Sequence, residues 1–290
     1  MNKLMVKGKK ALKFMVFNPR EFIARLKLNL YPLFFKAQSG KVLLNGICFQ
    51  IDLDYDVVMR NMYYGLYESV ISSLLKKYLR EGDVFIDAGA NIGYMSAFAL
   101  GMVGKTGEVH SFEPVPRYFK RLERIKEDNP EYNIFANNTA LGEKEETLSI
   151  KVTNVRNIGW NTMVPDFMDE SAVKEEIPVS VMRLDEYIFS KEIENVRLIK
   201  IDVEGYEFPV LKGLNKYLSG AKQLPIIIAE IVPDSYPRLN STLHEFSKYM
   251  RRFRYQAYSV DSRREIEITS LAITTDVVFL PEFVNDSSKN

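Results

Sequence analysis

The spacing of hydrophobic and polar positions changes along this chain. From residue 83 onward, short apolar runs alternate with longer amphipathic stretches, a pattern that predicts strands alternating with helices. Strands are predicted at residues 84–86, 108–112, 134–135, 198–201, 225–231 and 276–280. Helices are predicted at residues 66–80, 94–102, 116–128, 207–218 and 242–252. Such alternation is typical of an α/β fold with a mainly parallel sheet and helices on both faces.

The chain divides into two predicted parts. Residues 1–60 are predicted to be a basic N-terminal extension, in which the first forty residues have the spacing of an amphipathic helix and an Asn-Gly pair marks a short hairpin. Residues 61–290 are predicted to form one domain. Within it, residues 143–185 break the alternation with strand-like pieces at 147–153 and 177–182 around a polar loop. We interpret this segment as an insertion at the rim of the sheet, where substrate contacts are common.

The composition is that of an ordinary globular protein, with 46% of the 290 residues hydrophobic and 27% charged. A disordered, collagen-like or low-complexity chain is therefore excluded. Cys48, the one cysteine, excludes an internal disulfide, a cysteine-based zinc site and a CxxC redox motif. Apolar runs fall short of the ~20 residues of a membrane span, and Lys13 interrupts the candidate core of a secretory signal. These features predict a cytoplasmic protein.

The net charge of +1 conceals an asymmetry. Residues 1–41 carry ten basic residues and one acidic residue, whereas acidic residues outnumber basic ones in the rest of the chain. A basic arm on an acidic body favours an anionic partner for the arm. We predict peripheral contact of residues 1–40 with the inner face of a membrane. A helix packed on the following domain is the alternative that the sequence leaves open.

A glycine-rich turn follows the first predicted strand of the domain, in the run FIDAGANIG. Ligands of open α/β sheets bind at the carboxyl ends of the strands, where this turn lies. Gly89 and Gly93 are spaced GxxxG, unlike the GxGxxG of dinucleotide sites, and Asp87 would repel a pyrophosphate. The carboxylate suits S-adenosylmethionine, which has an ammonium group and hydroxyls but no phosphate. Glu113, after the second strand, can accept hydrogen bonds from both ribose hydroxyls. A plain strand–helix turn with a surface carboxylate is the alternative.

A second group of charged residues lies at the ends of two predicted interior strands. Asp202 and Glu204 follow one strand, with Lys200 on the same strand face as Asp202, and Glu230 lies near the end of the other. Charges at the mouth of a hydrophobic strand are costly unless paired or solvated, which favours a functional site. We predict Asp202 as a general base paired with Lys200. A carboxylate cluster that binds Mg²⁺ and a purely structural cluster are the alternatives; a divalent metal is therefore possible but not predicted.

Six motifs occur in a fixed order along the chain: IDAGANIG, FEP, NNTALGE, VMRLDEYI, IKIDVEGYEFPVLKG and PIIIAEI. Together they resemble the FkbM-type methyltransferases, a branch of the class I S-adenosylmethionine-dependent enzymes. The resemblance covers roughly two-thirds of the chain, from about Tyr63 onward. It implies a Rossmann-like, seven-stranded sheet whose last strand is antiparallel. It also implies S-adenosylmethionine as cofactor and O-methylation of a hydroxyl, typically on saccharides, glycolipids or polyketides.

The resemblance also assigns roles by motif match. The residues implied to hold the methionine portion of the cofactor are Asp87, Gly89, Asn91 and Gly93, with Glu113 on the ribose. The residues implied to lie near the adenine are Asn138, Thr139 and Ala140. Two other classes stay open: an RNA methyltransferase or nucleic-acid binder that uses the basic arm, and a non-catalytic scaffold. The acidic body disfavours the first, and the full set of cofactor motifs disfavours the second.

Overall fold

The computed structural model describes residues 39–52, 57–63, 67–153 and 161–282. The chain divides into two compact units, one of residues 1–42 and 50–69 and one of residues 43–49 and 70–290. The helix predicted near the N-terminus lies outside the described residues. The predicted domain boundary at residue 60 stays a prediction.

The first described element is a hairpin. Strands β1 (Ser39–Leu44) and β2 (Ile47–Asp52) pair in a two-stranded sheet. Asn45 and Gly46 connect them with φ angles of 50° and 90°, as a two-residue Asn-Gly turn requires. Helices α1 (Val57–Tyr63) and α2 (Ser69–Tyr78) follow. The hairpin predicted from the Asn-Gly pair is therefore present.

A seven-stranded sheet forms the centre of the second unit. The strands and helices that follow α2, in chain order, are β3 (Val84–Ala88), α3 (Tyr94–Val103), β4 (Glu108–Phe112), α4 (Pro116–Asp128), β5 (Asn133–Asn137), β6 (Ala140–Leu141), β7 (Glu146–Thr153), β8 (Asn161–Thr162), β9 (Val173–Met182), α5 (Leu184–Ser190), β10 (Val196–Ile201), α6 (Glu207–Lys212), α7 (Asn215–Gly220), β11 (Ile226–Ile231), α8 (Ser235–Arg238), α9 (Leu243–Arg252), β12 (Tyr255–Ser259) and β13 (Thr275–Pro281). The strand order across the sheet is β12-β13-β11-β10-β3-β4-β5.

The direction of the strands confirms the predicted Rossmann-like class. Strands β3, β4, β5, β10 and β11 are parallel, and β13 runs antiparallel to both of its neighbours. The chain builds the sheet outward from β3, first through β4 and β5 and then through β10 and β11, so the topology switches between β3 and β10. Because crossovers between parallel strands are right-handed as a rule, this reversal of strand order is expected to place helices on both faces. A ligand crevice is expected at this switch point, beyond the carboxyl ends of the strands.

The central strands are buried along almost their whole length. In β3 the four residues from Phe85 to Ala88 are buried, and in β10 five of the six are. Because successive residues of a strand face opposite sides, both faces of the sheet are covered. Strands of this kind have continuous apolar runs, which is why the sequence predicted them.

Several elements of the sheet domain differ from the sequence prediction. Helices α5 and α8 and the short strands β6 and β8 were not predicted, and two further differences have a clear cause. The helix predicted over residues 207–218 is two short helices, α6 and α7. A Cβ on Gly213, which lies between them, would come within 1.9 Å of the carbonyl oxygen of Gly142, and the Gly213 carbonyl accepts a hydrogen bond from the N–H of Asp185. Strand β12 was not predicted, because only Tyr255 among its five residues is buried and no apolar run marks it.

The segment 143–185 carries most of a second, four-stranded sheet of order β6-β9-β7-β8. Strands β7 and β9 pair antiparallel from Glu146 opposite Val181 to Thr153 opposite Val173. They contain the strand-like pieces that the sequence predicted. Among the helices of the described residues, none is long and apolar enough to cross a bilayer.

Candidate active site

The glycine turn after β3 is held between two neighbouring strands. The N–H groups of Gly89 and Ala90 both donate to the carbonyl of Phe112 at the end of β4, over 3.0 and 2.9 Å. Gly89 has a φ of 80°, and a Cβ there would lie 1.8 Å from the carbonyl oxygen of Asp202 after β10. Position 89 therefore requires glycine for its backbone conformation and for this close approach.

Gly93 meets a different constraint. It has a φ of 85° and precedes α3, and a Cβ there would come within 2.6 Å of the side chains of Leu122 and Ile125 on α4. The second glycine of the GxxxG spacing thus lets two helices pack closely. Its predicted contact with the methionine portion of a cofactor stays a prediction.

Asp87, in β3, is fully buried. Its Oδ2 accepts a 2.6 Å hydrogen bond from the Ser96 hydroxyl, which in turn accepts one of 2.8 Å from Ser111. Burial raises the pKa of Asp87, and the nearby positive charge of Lys200 opposes that rise. The other oxygen, Oδ1, has no hydrogen-bond partner among the described residues.

Glu113, directly after β4, is a buried carboxylate with two backbone donors. Its Oε2 accepts from the N–H of Asn91 and its Oε1 from the N–H of Val115, each over 2.8 Å. Burial raises its pKa from 4.5 to about 7, although these two hydrogen bonds favour the charged form. Each carboxylate oxygen has two acceptor positions, so one on each remains for a ligand hydroxyl.

The three residues implied to lie near an adenine have different positions. Thr139 and Ala140 line the same crevice as Glu113. The side chain of Asn138 instead donates from Nδ2 to the carbonyls of Glu113 and Pro114, over 2.9 and 3.0 Å. Asn138 therefore fixes the backbone that follows β4.

A crevice open to solvent at its mouth lies at the carboxyl ends of β3, β4 and β10. This is the position at which ligands of open α/β sheets bind. The predicted site residues that line it are Gly89, Asn91, Glu113, Thr139, Ala140, Asp202 and Glu204. The predicted residues that are not among its lining are Asp87, Gly93, Asn138, Lys200 and Glu230.

The crevice also has lining residues that the sequence analysis did not predict as site residues. From the inserted sheet and the loop after it come Ile150, Asn161 and Met163. From the central sheet and its loops come Phe112, Pro114 and Val203, and from β6 of the four-stranded sheet comes Leu141. Phe112 and Pro114 flank Glu113 in the FEP motif and could have been found from it. The three residues of the insertion carry no local signature, because only the folding of that segment brings them here.

Lys200 and Asp202 form the predicted pair on β10. The Lys200 ammonium is buried and its Nζ donates to Asp202 Oδ2 over 2.7 Å. Lys200 lies opposite Asp87 in the register of β10 and β3, so three charged groups meet where these strands end. Asp202 remains partly exposed at the crevice, with 29% of its side chain accessible.

Glu204 and Glu230 complete the cluster of carboxylates. One oxygen each of Asp202, Glu204 and Glu230 lie within 4.8 Å of one another, a geometry that could hold a divalent cation. Burial raises the pKa of Glu204 from 4.5 to about 9, with further contributions from the negative charges of Asp202 and Glu230. Glu204 also has a left-handed φ of 52° in the turn that follows β10.

Comparison with known proteins gives a match over the region that contains the crevice. The sequence profile of the methyltransferase FkbM domain matches residues 87–257, which is more than half of the chain. The matched region begins at Asp87 and includes the glycine turn, Glu113, the insertion and the acidic cluster.

Three known relatives are similar to part of this chain. Methyltransferase 1 of Beauveria bassiana is 28% identical over 149 residues, covering 45% of this chain and 57% of that protein. Hexuronic acid methyltransferase AglP of Haloferax volcanii is 25% identical over 164 residues, covering 57% and 62%. 31-O-demethyl-FK506 methyltransferase FkbM of Streptomyces tacrolimicus is 31% identical over 163 residues, covering 47% and 61%. The matches thus span about three-fifths of the length of these relatives.

Proposed function

This chain belongs to the FkbM family of S-adenosylmethionine-dependent methyltransferases, and from that premise we propose that it methylates a hydroxyl group of a saccharide, glycolipid or similar small molecule. The observation that carries the proposal is the crevice itself. One cavity joins the glycine turn and Glu113, which suit the cofactor, to Asp202 and Glu204, which suit an acceptor hydroxyl.

The residues on the cofactor side fit S-adenosylmethionine chemically. Glu113 offers a free acceptor position on each oxygen to a ribose diol, and the acidic turn attracts the positive charges of the ligand. Thr139 and Ala140 would bound the adenine. Gly89 and Asn91 would face the methionine portion, with Asp87 and Gly93 behind them. When bound, the cofactor would supply an electrophilic methyl carbon on its sulfonium: the acceptor oxygen would bond to that carbon as the carbon–sulfur bond breaks, and S-adenosylhomocysteine would leave.

On the acceptor side, the protein must accept one proton from the hydroxyl group. A hydroxyl has a high pKa, so its proton must leave as the oxygen is alkylated, and a positioned base contributes about 10²–10⁴-fold to such a step. Asp202 is the proposed base because it combines exposure to the crevice with a fixed orientation through Lys200. The buried ammonium keeps Asp202 Oδ2 in place and leaves Oδ1 to receive the proton.

The names of two relatives support a sugar or similar oxygen-bearing small molecule as acceptor. One acts on a hexuronic acid, and the other is named for a 31-O-demethyl substrate. The proposed acceptor wall is the side of the crevice that would contact the methyl acceptor. It is formed by the inserted sheet, where Ile150 and Met163 give an apolar surface and Asn161 an amide. This combination suits the apolar face and the hydroxyl edge of a sugar ring.

The test is a donor-consumption screen. Purified protein is incubated with S-adenosylmethionine and cell-envelope saccharides, uronic acids, glycolipids or RNA, and S-adenosylhomocysteine is quantified. Mass spectrometry should then find a product 14 Da heavier, with the methyl group on an oxygen of a saccharide. Methylation of RNA alone, or of a nitrogen, would contradict the proposal.

For residues 1–40 we propose contact with an anionic membrane surface, supported by their mixture of basic and apolar residues. Flotation with vesicles containing phosphatidylglycerol should require these residues. If a protein that begins at residue 41 floats equally well, membrane contact does not depend on the arm. If neither protein floats, the arm does not bind membranes.

A further inference from the structure

The turn that carries Asp202 and Glu204 has an unusual backbone. Glu204 and Gly205 are consecutive residues with left-handed φ angles of 52° and 97°. Glycine adopts this conformation readily, but a glutamate does not, so other contacts must hold it. One such contact is a 2.7 Å hydrogen bond from the Thr162 hydroxyl to the carbonyl of Glu204.

Glu207 provides two further contacts from inside the protein. It is the first residue of α6 and is fully buried. Its Oε1 accepts the N–H of Val203 over 3.2 Å and the N–H of Gly205 over 3.0 Å. These two donors flank Glu204, so a single side-chain oxygen binds the backbone on both sides of the strained residue.

The second oxygen of Glu207 makes no comparable contact. Oε2 is buried and has no hydrogen-bond partner among the described residues. Burial raises the pKa of Glu207 from 4.5 to about 8. An acid that served only to complement the dipole of α6 could do so from the solvent. What the turn uses is therefore the acceptor Oε1 at a fixed distance from the helix, rather than a negative charge.

We propose that Glu207 is a positioning residue whose buried Oε1 locks the turn at Val203–Gly205 and so keeps the Glu204 side chain in the crevice beside Asp202 and Glu230. Its contribution to turnover rests on the proposed methyl transfer. Its contribution to the position of Glu204 does not. Without this acceptor, the backbone of Glu204 relaxes toward a right-handed or extended conformation, and its carboxyl group leaves the cluster.

The experiment separates the length of the side chain from its charge. Glu207→Gln keeps an acceptor oxygen at the same distance and removes the acid, whereas Glu207→Asp keeps the acid and withdraws it by one methylene group. We expect kcat of Glu207→Gln within about threefold of wild type, and kcat of Glu207→Asp lower by about 10–100-fold, since small misplacements at a reacting site have effects of this size. The Kd for S-adenosylmethionine should change less than about threefold in both, because neither variant alters Glu113 or the glycine turn.

Two outcomes would overturn the proposal: wild-type kcat in Glu207→Asp, or equal loss in Glu207→Gln and Glu207→Asp, which would make the charge the essential feature. Asp185→Asn is the matched control, because Asp185 is a fully buried carboxylate outside the crevice that binds Arg183 and the N–H of Lys216. It should lower the melting temperature without lowering kcat of the folded enzyme.

A second readout does not depend on turnover. The ¹³C signal of the Glu204 carboxyl can be titrated in each variant. Glu204 is faced by Asp202, Glu230, Glu207 and Lys200, and its pKa should fall in Glu207→Asp, where it leaves the cluster, but much less in Glu207→Gln. An unchanged Glu204 titration in Glu207→Asp would refute the positioning role. If the titration shifts as expected while no hydroxyl acceptor is methylated by the wild type, the proposed function fails and the positioning role stands.

Discussion

The backbone N–H of Asn91 donates to Oε2 of Glu113 over 2.8 Å. This hydrogen bond joins the glycine turn after β3 to the carboxylate after β4. Asn91 holds a left-handed φ of 53°, so its N–H is directed by a backbone conformation that the turn itself fixes. The group proposed to bind the ribose and the turn proposed to bind the methionine portion therefore form one hydrogen-bonded unit, and a substitution at Glu113 acts on both.

The first prediction is that Glu113→Ala weakens binding of S-adenosylmethionine by about 10–100-fold. The change removes a carboxylate acceptor worth ~1.5–3 kcal/mol. Isothermal titration calorimetry gives the affinity, and circular dichroism shows whether the variant is folded. An unchanged Kd in a folded variant would remove Glu113 from the cofactor site.

The raised pKa of Glu113 adds a pH dependence. With a pKa of about 7, the carboxylate form is a minor species at pH 6 and the main species at pH 8. If only the ionised form accepts from both hydroxyls, affinity should rise by about tenfold over this range. Glu113→Gln is the control, because any dependence of affinity on pH that remains in this variant comes from titration of S-adenosylmethionine itself. Parallel slopes in wild type and Glu113→Gln would contradict this prediction.

The second prediction concerns the base. Asp202→Asn should lower kcat by about 10²–10⁴-fold while cofactor affinity stays near that of the wild type, since the range is that for loss of a general base. Asp83→Asn is a matched control: Asp83 accepts a hydrogen bond from the N–H of Arg80 and does not line the crevice. Turnover at the wild-type rate in Asp202→Asn would exclude Asp202 as the base.

The third prediction separates a base from a metal ligand at the cluster of Asp202, Glu204 and Glu230. Because Lys200 already supplies a positive charge to Asp202, we expect turnover to survive treatment with EDTA. Inductively coupled plasma mass spectrometry of the purified protein gives the metal content independently. Loss of activity with EDTA that Mg²⁺ or Mn²⁺ restores would identify the cluster as a metal site.

The fourth prediction ranks three glycines. Gly89→Ala sets a Cβ against the backbone carbonyl of Asp202, which cannot move without disturbing β10, so it should be the most destabilising. In Gly93→Ala the added Cβ meets only the ends of flexible side chains. Its loss of stability, about 1–3 kcal/mol, should come mainly from the left-handed φ. Gly220→Ala meets nothing within 4 Å and is the control. Urea unfolding measures the free energy of unfolding of each variant. If Gly89→Ala is as stable as Gly220→Ala, the predicted order is wrong.

The fifth prediction follows from two buried acids. Burial raises the pKa of Glu113 to about 7 and that of Glu207 to about 8. Between the ordinary value of 4.5 and these values, the folded protein holds protons that the unfolded chain has released. The free energy of unfolding therefore falls as pH rises, by up to about 1.4 kcal/mol per pH unit for each group.

Thermal melts of the ligand-free protein should accordingly show a falling melting temperature from pH 5.5 to pH 8. The slope should be shallower in Glu207→Gln, which has one fewer group to titrate. A melting temperature that rises with pH over this range, or an equal slope in Glu207→Gln, would contradict the assignment of these raised pKa values.

The sequence predicted those parts of the molecule that have local causes. Continuous apolar runs marked β3 and β10 because both strands are buried on two faces, and the glycine turn and Glu113 could be found from their positions after strands. The division between α6 and α7 could not be predicted, because its cause is the contact of Gly213 with Gly142, 71 residues away in sequence. The same is true of Met163 in the crevice, which depends on how the inserted segment folds.

The inserted sheet has a consequence for how this protein can change over evolutionary time. It contributes Ile150 to the wall of the crevice, with Asn161 and Met163 beside it, yet it adds no strand to the seven-stranded sheet. None of these three side chains takes part in the hydrogen bonds that fix Gly89 or Glu113. Mutations of these three residues can therefore change the surface proposed to bind the acceptor, while the hydrogen bonds that hold the glycine turn and Glu113 stay intact. Changes in this segment could therefore fit the crevice to a new acceptor, provided that Thr162, which binds the carbonyl of Glu204, is kept.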